Sequence, residues 1–131
     1  MSVVTKSILL PCSAPAAWKL LADGQQWPRW AVRNVLASAP LGEDRWQIQT
    51  PRGPGVLHIR GDRAFGILDH DFIDPLEGKW TVPARVVPTS IGAVFIMTLE
   101  KPAGMPDDVF ERGLKELDDE LGQLAQLARS L

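Results

Sequence analysis

The end of the chain, residues 106–131, carries apolar side chains at alternating steps of four and three residues. That spacing places them in one stripe along an α-helix, with charged side chains such as Glu111 and Lys115 on the other side. A coiled coil would also use such a stripe, but the segments before it have the pattern of strands, which favours packing on a sheet. The stripe consists of Phe110, Leu114, Leu117, Leu121, Leu124, Ala128 and Leu131.

The chain begins with a predicted strand, which Pro11 ends. Residues 16–22 are helix formers, and Ser13 before them is a suitable N-cap. Residues 25–30 predict a second, short helical turn. The first part of the chain is therefore a strand followed by two short helices.

From Arg33 onward the period of the apolar residues changes to two, which is typical of strands. The clearest alternation is in residues 45–50, where Trp46 shares a face with Ile48. Six strands are predicted here, over residues 34–38, 45–50, 56–60, 65–73, 79–87 and 93–99. Residues 75–78 have the composition of a hairpin turn. Pro83 lies inside the fifth of these strands, which indicates a sheet edge or a bulge.

This order of elements predicts one domain over residues 1–131 with an α+β fold. Short turns between consecutive strands favour antiparallel pairing. We expect a curved seven-stranded antiparallel sheet wrapped around the long C-terminal helix, with two short helices after the first strand. The space between the sheet and that helix would hold a small ligand.

Composition excludes several classes of function. A hydrophobic content of 45% and a charged content of 23% are ordinary for a globular domain. The net charge of −2, with arginines scattered along the chain, argues against nucleic acid as a partner. No segment approaches the length of a membrane span, so we expect no integral membrane association. The single cysteine, Cys12, excludes an intrachain disulfide and fits a cytoplasmic location.

Neither a metal nor a cofactor is expected. The two histidines, His58 and His70, do not have the spacing of metal ligands. The chain also has no glycine-rich phosphate loop.

Four stretches of sequence, together with the first strand and the last helix, have a familiar arrangement. They are residues 15–23 (PAAWKLLAD), 27–30 (WPRW), 66–71 (GILDHD) and 82–88 (VPARVVP). In this arrangement the chain resembles the START/Bet v1-like superfamily, also called the SRPBCC or helix-grip fold, and in particular its polyketide cyclase/dehydrase-like branch. The resemblance covers essentially the whole chain. It implies binding or transport of a small hydrophobic or aromatic ligand, lipid-like or polyketide-like, between the sheet and the last helix.

Fold does not settle function in this superfamily, so two other classes stay open. One is an enzyme of the aromatase/cyclase or dehydratase type, which needs polar groups that converge on the ligand. The other is a protein–protein interaction module. A homodimer is also kept open. We assign no catalytic residue.

His70 is the principal candidate for a functional side chain. In a strand it shares a face with Leu68 and Phe72, while Asp69 and Asp71 point to the other face. An apolar face must meet the core, so the imidazole is expected inside. It then acts either as a polar anchor or acid–base group for a ligand, or as a buried histidine hydrogen-bonded within the fold.

Aromatic side chains are the candidates for the walls of the cavity. Trp30, Trp46 and Trp80 are predicted to line it, with simple core packing as the alternative for each. Trp18 and Trp27 are expected to lock the early helices to the sheet. Arg85 is the candidate to bind an acidic group of the ligand. The alternative is that it is an ordinary exposed arginine of a strand.

Three other polar groups are given structural roles. His58 is expected on the outer side of its strand, because the opposite face is more apolar. Ser13 is a helix cap, because no histidine or acid is placed to activate it. Asp118, Asp119 and Glu120 are expected to form a solvated face of the last helix.

Overall fold

The computed structural model describes residues 2–76 and 78–131 of the chain. Its helices are α1 (Ala14–Ala22), a 3-10 helix (Gly24–Arg29) and α2 (Asp107–Ala128). Its strands are β1 (Val3–Leu10), β2 (Ala37–Gly42), β3 (Arg45–Thr50), β4 (Gly53–Asp62), β5 (Ile67–Asp74), β6 (Gly78–Val82), β7 (Ala84–Thr89) and β8 (Gly92–Glu100). The predicted hairpin turn over 75–78 includes Glu77, which lies outside the described residues.

The strands form one curved antiparallel sheet in the order β1-β8-β7-β5-β4-β3-β2, and β6 pairs with β5. The described part of the chain therefore has eight strands, whereas the sequence predicted seven. The predicted strand over 79–87 is divided at Pro83, because proline has no N–H to continue the ladder. β6 pairs with the second half of β5, and β7 pairs with β8.

The predicted strand over 34–38 is also corrected. Residues 31–36 form a loop, and β2 begins only at Ala37. The N–H groups of Arg33 and Asn34 donate to the side chain of Glu120 on α2, so they do not enter a strand ladder. The loop is fixed further by Val35, which is buried and donates its N–H to the carbonyl of Ala31.

α2 begins one residue after Pro106 and carries Asp107 and Asp108 in its first turn, where the helix dipole favours acidic side chains. It packs on the inner face of the sheet, chiefly against β1, and against the 3-10 helix. The predicted stripe is confirmed over most of its length. Its buried members are Phe110, Leu117, Leu121, Leu124 and Ala128. Leu114 is half-buried, and Leu131 is exposed beyond the end of the helix.

The register of β1 and β8 defines the two faces of the sheet. Val4 and Ile8 pair with Leu99 and Phe95 on the inner face, which α2 covers. Lys6 lies on this face too and reaches Asp118 of α2, with 3.0 Å between the ammonium nitrogen and a carboxylate oxygen. Among residues 2–76 and 78–131, no helix has the length and the apolar character needed to cross a bilayer.

The stripe of α2 predicts a large cost for shortening one of its leucines. Leu117 is 6% exposed, so Leu117→Ala leaves a cavity under the helix and should lower the free energy of unfolding by about 2–5 kcal/mol. The matched control is Leu131→Ala, because Leu131 is 52% exposed; its effect should stay within about 0.5 kcal/mol. Chemical denaturation measures both, and equal small effects would contradict packing of α2 on the sheet.

Candidate functional site

A row of apolar side chains crosses the inner face of the sheet from β3 to β6. The strand registers place Trp46 opposite Leu57, Leu57 opposite Phe72, and Phe72 opposite Trp80. Leu57 is fully buried, while the three aromatic residues are half-buried. Trp80 stacks on Phe72, with 6.2 Å between ring centroids, and its indole N–H donates to the carbonyl of Glu100. The row therefore presents aromatic rings that are partly open to solvent.

Trp46 lies at the β3 end of this row, on the backbone of the 3-10 helix. A Cβ atom at Gly24 would come within 2.4 Å of the Trp46 ring, so the contact requires glycine. The hydroxyl of Ser38 donates to the carbonyl of Gly24 and holds β2 to the same helix. The sheet is thus folded over the 3-10 helix at this end.

His70 lies two residues before Phe72 in β5, so the two side chains are on the same face of the sheet. The side chain is fully buried, and its Nδ1 is 2.9 Å from the carbonyl oxygen of Leu68. A carbonyl oxygen only accepts, so Nδ1 carries the proton of the neutral ring. Nε2 has no hydrogen-bond partner among the described residues. Burial lowers the pKa of His70 to about 4, so the ring is neutral at pH 7.

Trp27 connects His70 to the 3-10 helix. Its ring centroid is 4.9 Å from that of His70, 4.8 Å from that of Trp30 and 6.1 Å from that of Phe72. Its indole N–H donates to the carbonyl of Leu21. The sequence predicted Trp27 only as a lock between the helices and the sheet. The contact between Trp27 and Trp30 could have been predicted from their spacing, because side chains three residues apart fall on one side of a 3-10 helix.

Trp30 and Phe95 complete the group. Trp30 is 1% exposed, contacts Phe95 edge-on at 6.2 Å between ring centroids, and has an indole Nε1 without a partner among the described residues. We call these rings the aromatic cluster: Trp27, Trp30, His70, Phe72, Trp80 and Phe95. Phe95 was missed from the sequence because residues 93–99 are nearly all apolar and offer little contrast between the two faces of β8.

The structure brings most of the predicted site residues to one face. His70, Phe72, Trp30 and Trp80 belong to the aromatic cluster, Leu68 is buried on the same face of β5, and Trp46 ends the row. Arg85 is not brought there. It is exposed on the outer face of the sheet, where it pairs in register with Ile67 and Ile96.

His58 is on the outer face, as predicted, and so is Asp71. Asp71 is 2% exposed and accepts hydrogen bonds from Nη2 and Nε of Arg60, at 3.0 and 3.1 Å, and from the hydroxyl of Thr81 at 2.7 Å. Burial alone would raise the pKa of Asp71, but these hydrogen bonds outweigh it and hold the pKa below the usual value. His58 Nδ1 is 3.7 Å from the same carboxylate. This cluster stabilises the outer face and is separate from the aromatic cluster.

The sequence also predicted a cavity between the sheet and α2, and this stays a prediction. Two concavities of the described structure lie elsewhere: one of about 480 Å³ between the β1–α1 and β7–β8 connections, near Cys12, and one of about 280 Å³ on the outer face, near Asp69 and Arg85. The rings of the aromatic cluster pack against one another, and Trp27, Trp30, His70 and Phe95 are each at most 2% exposed. No group of three or more histidine, cysteine or acidic side chains suited to a metal occurs in the described part of the chain.

The prediction of a solvated face on α2 is wrong at Glu120. Its side chain is buried, and Oε2 accepts from the backbone N–H groups of Arg33 and Asn34 while Oε1 accepts from Asn34 Nδ2, all at 3.1 Å. Burial raises the pKa of the Glu120 carboxyl, and the three donors oppose that rise. Asp119, its neighbour, is exposed and pairs with the guanidinium of Arg33. Glu120 thus fastens the loop that follows Trp30 to the last helix.

No protein-family model and no curated protein sequence matches this chain. Solved structures do match it, over nearly its whole length. The di-domain ARO/CYC BexL from the BE-7585A biosynthetic pathway gives a TM-score of 0.75 at 17% identity, over 96% of this chain and 46% of that chain. The Bet v1 allergen Ara h 8.0201 gives 0.73 at 10% identity, over 99% of each chain. A START superfamily protein from Mycobacterium smegmatis gives 0.67 at 15% identity, over 95% of this chain and 98% of that chain.

The chain therefore has the START/Bet v1-like fold, also called SRPBCC or helix-grip, as its sequence predicted. At these identities the likeness defines the fold and leaves the function to the residues of the site.

Removing the Glu120 carboxylate should destabilise the protein more than removing its neighbour. Glu120→Ala removes three part-buried hydrogen bonds to Arg33 and Asn34, so the free energy of unfolding should fall by about 1–3 kcal/mol. Asp119→Ala removes an exposed ion pair and should change it by less than about 1 kcal/mol. Urea denaturation measures both values, and hydrogen exchange of the Asn34 amide should quicken only in the first variant. A larger loss for Asp119→Ala would show that the loop is not fastened by Glu120.

His70 should make stability depend on pH in the weakly acidic range. Its pKa in the folded protein, about 4, lies below the unfolded value of about 6.5, so folding favours the neutral ring. His70 therefore leaves the free energy of unfolding unchanged above about pH 6.5 and lowers it by on the order of 3 kcal/mol as the pH falls towards 4. His70→Phe should abolish this loss, while His58→Phe should keep it.

Glu120, whose pKa is raised, changes the free energy of unfolding in the opposite direction at acidic pH. Because wild type and His70→Phe share this contribution, the difference between them isolates the contribution of His70. Denaturation series from pH 7.5 to 4.5 supply the data. Identical slopes in wild type and His70→Phe would contradict a buried neutral histidine.

Proposed function

We propose that this protein binds a small hydrophobic or aromatic molecule at the aromatic cluster, between the inner face of the sheet and α2. The observation that carries the proposal is a pair of buried nitrogens, His70 Nε2 and Trp30 Nε1, that have no partner among the described residues. Both lie in rings that contact Trp27. The surrounding side chains are apolar, so the pair marks a polar point inside an apolar, aromatic environment.

A buried polar group without a partner costs about 1–3 kcal/mol. Native proteins seldom keep such groups without a reason, and a ligand or an internal water supplies the missing bonds. A ligand that stacks on the rings and reaches these nitrogens would recover the cost while burying its own apolar surface. The arrangement thus suits a molecule that is mostly apolar and carries little polar surface.

Because four rings of the cluster are at most 2% exposed, binding requires some of its rings to move. Phe72 and Trp80 are the half-buried members, and they form the part of the row that is open to solvent. Rotation of Phe72 would bring a ligand next to His70, since the two rings are in edge contact at 5.5 Å between centroids. The likeness of the fold to a START superfamily protein and to an ARO/CYC protein supports the same class of ligand.

An enzyme of the aromatase/cyclase type is the second candidate, and the bare Nε2 of His70 together with the similarity to BexL favours it. A pKa of about 4 makes His70 a weak base, however, and the described residues of the cluster add only indole N–H donors to it. For an interaction module, the most exposed large apolar residues, Phe65, Leu76 and Ile91, lie in three separate turns. Binding is therefore the function that we propose.

The indole N–H signals of the five tryptophans offer a test with an internal control. N-phenyl-1-naphthylamine, an uncharged aromatic probe, should shift the signals of Trp27, Trp30 and Trp80 in nitrogen–proton correlation spectra. The signal of Trp18 should stay in place, because Trp18 bonds to the carbonyl of Ile67 outside the cluster. Single tryptophan-to-phenylalanine variants assign the signals. Movement of the Trp18 signal alone, or of none at millimolar probe, would contradict the proposal.

Native mass spectrometry of freshly purified protein complements this test. A co-purifying molecule should be mostly apolar, with few polar atoms. A highly charged resident molecule would count against a site at the aromatic cluster, because no charged side chain belongs to it.

A further inference from the structure

The outer face of the sheet has a concavity at the point where the strand that pairs with β5 is interrupted. β6 ends at Val82 and β7 begins at Ala84. Pro83, between them, has no N–H to donate to a ladder. The N–H of Ala84 donates to the side chain of Asp69 on β5, at 3.0 Å. The concavity of about 280 Å³ lies at this interruption, on the side of the sheet opposite to α2.

Asp69 and Arg85 both line this concavity, and both keep bonding capacity that the described residues leave unused. Asp69 accepts from Ala84 with one carboxylate oxygen, and its other oxygen has no hydrogen-bond partner in the described part of the chain. Arg60 lies opposite Asp69 on β4, but its guanidinium donates to Asp71. The guanidinium of Arg85 has neither an ion pair nor a hydrogen bond to any described residue.

The two charges are neighbours that do not pair with each other. Arg85 is opposite Ile67 in register, and Asp69 lies two residues further along β5 on the same face. Such diagonal positions are about 7–8 Å apart, within reach of a long side chain. No ion pair joins Asp69 and Arg85 among the described residues, and the concavity that both side chains line lies open to a ligand.

The remaining walls are largely apolar. Ile67 and Ile96 flank Arg85 in register, both are half-buried, and both line the concavity. Thr98 adds one hydroxyl group. Sites for drug-sized ligands have volumes of about 300–1,000 Å³, so a site of this volume suits a smaller molecule.

We infer that this outer-face concavity binds a small zwitterion, namely an α-amino acid with an apolar side chain. Its carboxylate accepts from the guanidinium of Arg85, its ammonium group donates to Asp69, and its side chain lies on Ile67 and Ile96. A ligand with only a carboxylate would be repelled by Asp69, and one with only an ammonium group would be repelled by Arg85. The inference does not rest on the proposed function, because the aromatic cluster is on the other face of the sheet.

Three molecules of one shape test the inference: L-leucine, isocaproate, which lacks the ammonium group, and isoamylamine, which lacks the carboxylate. L-Leucine should bind about three- to tenfold more tightly than either analogue, because each analogue loses one charged contact. Titrations followed by nitrogen–proton correlation spectra measure the dissociation constants. L-Leucine should shift the backbone amide signals of Asp69, Arg85 and Thr98 and leave the indole signals of Trp27 and Trp30 in place.

Two variants and one control assign the charges. Arg85→Gln should lower the affinity for L-leucine to about that of isoamylamine for the wild type. Asp69→Asn keeps an oxygen that accepts from Ala84 but removes the charge, so it should lower the affinity to about that of isocaproate. Arg45→Gln is the matched control, because Arg45 is an exposed outer-face arginine of β3 that does not line the concavity. It should leave the affinity unchanged.

The outcomes that overturn the inference are distinct from those that test the aromatic cluster. Equal affinity for the three molecules overturns the requirement for a zwitterion, and so does an advantage of L-leucine that persists in both Arg85→Gln and Asp69→Asn. The absence of any shift at high millimolar L-leucine overturns the site itself. Shifts confined to the indole signals place the molecule at the aromatic cluster and also overturn it. The wild-type titrations decide these points even if a variant fails to fold.

Discussion

The packing of α2 on the inner face of the sheet is the contact on which the other features depend. A helix of this length with one apolar stripe is not stable alone in water, and a sheet with one apolar face must be covered. Leu117, Leu121 and Leu124 therefore bury themselves over the strands at the β1 side. The curved sheet extends beyond this contact towards β3 and β6, where Trp46, Phe72 and Trp80 lie on its inner face. Beyond the strands that α2 covers, aromatic rings thus supply the apolar surface of the sheet.

Besides Cys12, three titratable side chains are buried in the part of the chain that the structure describes, and their surroundings differ. Asp71 is paired with Arg60 and bonded to Thr81 on the outer face, which satisfies its charge. Glu120 receives three N–H donors from one loop. His70 receives one partner for its two nitrogens. Since Asp71 and Glu120 are well supplied with partners, the nitrogens of His70 and Trp30 that lack one among the described residues are exceptions that support a ligand.

The sequence predicted the parts of this structure that depend on periodicity. The stripe of α2 and the faces of β5 followed from spacing alone, because side-chain direction in helices and strands is set by the backbone. The same alternation already separated Arg85 from Trp80, which lie on opposite faces of one strand pattern, so both could not line one cavity. Glu120 was misjudged because it borders the stripe, three residues after Leu117, and its partners come from a distant loop. The mutual packing of the aromatic rings could not be predicted, because it depends on the rotamers of rings from several elements.

Magnitudes also indicate how a ligand would reach His70. Opening the loop after Trp30 would strip Glu120 of three hydrogen bonds, which together are expected to contribute about 1–3 kcal/mol. Turning the half-buried ring of Phe72 gives up its contacts with Trp27, His70 and Trp80 but breaks no hydrogen bond. Access from the open side of the aromatic row therefore leaves the bonds of Glu120 intact, which favours it over access beneath the loop. On this argument Glu120 holds Trp30 in place during binding, and the position of the indole donor relative to His70 is fixed before the ligand arrives.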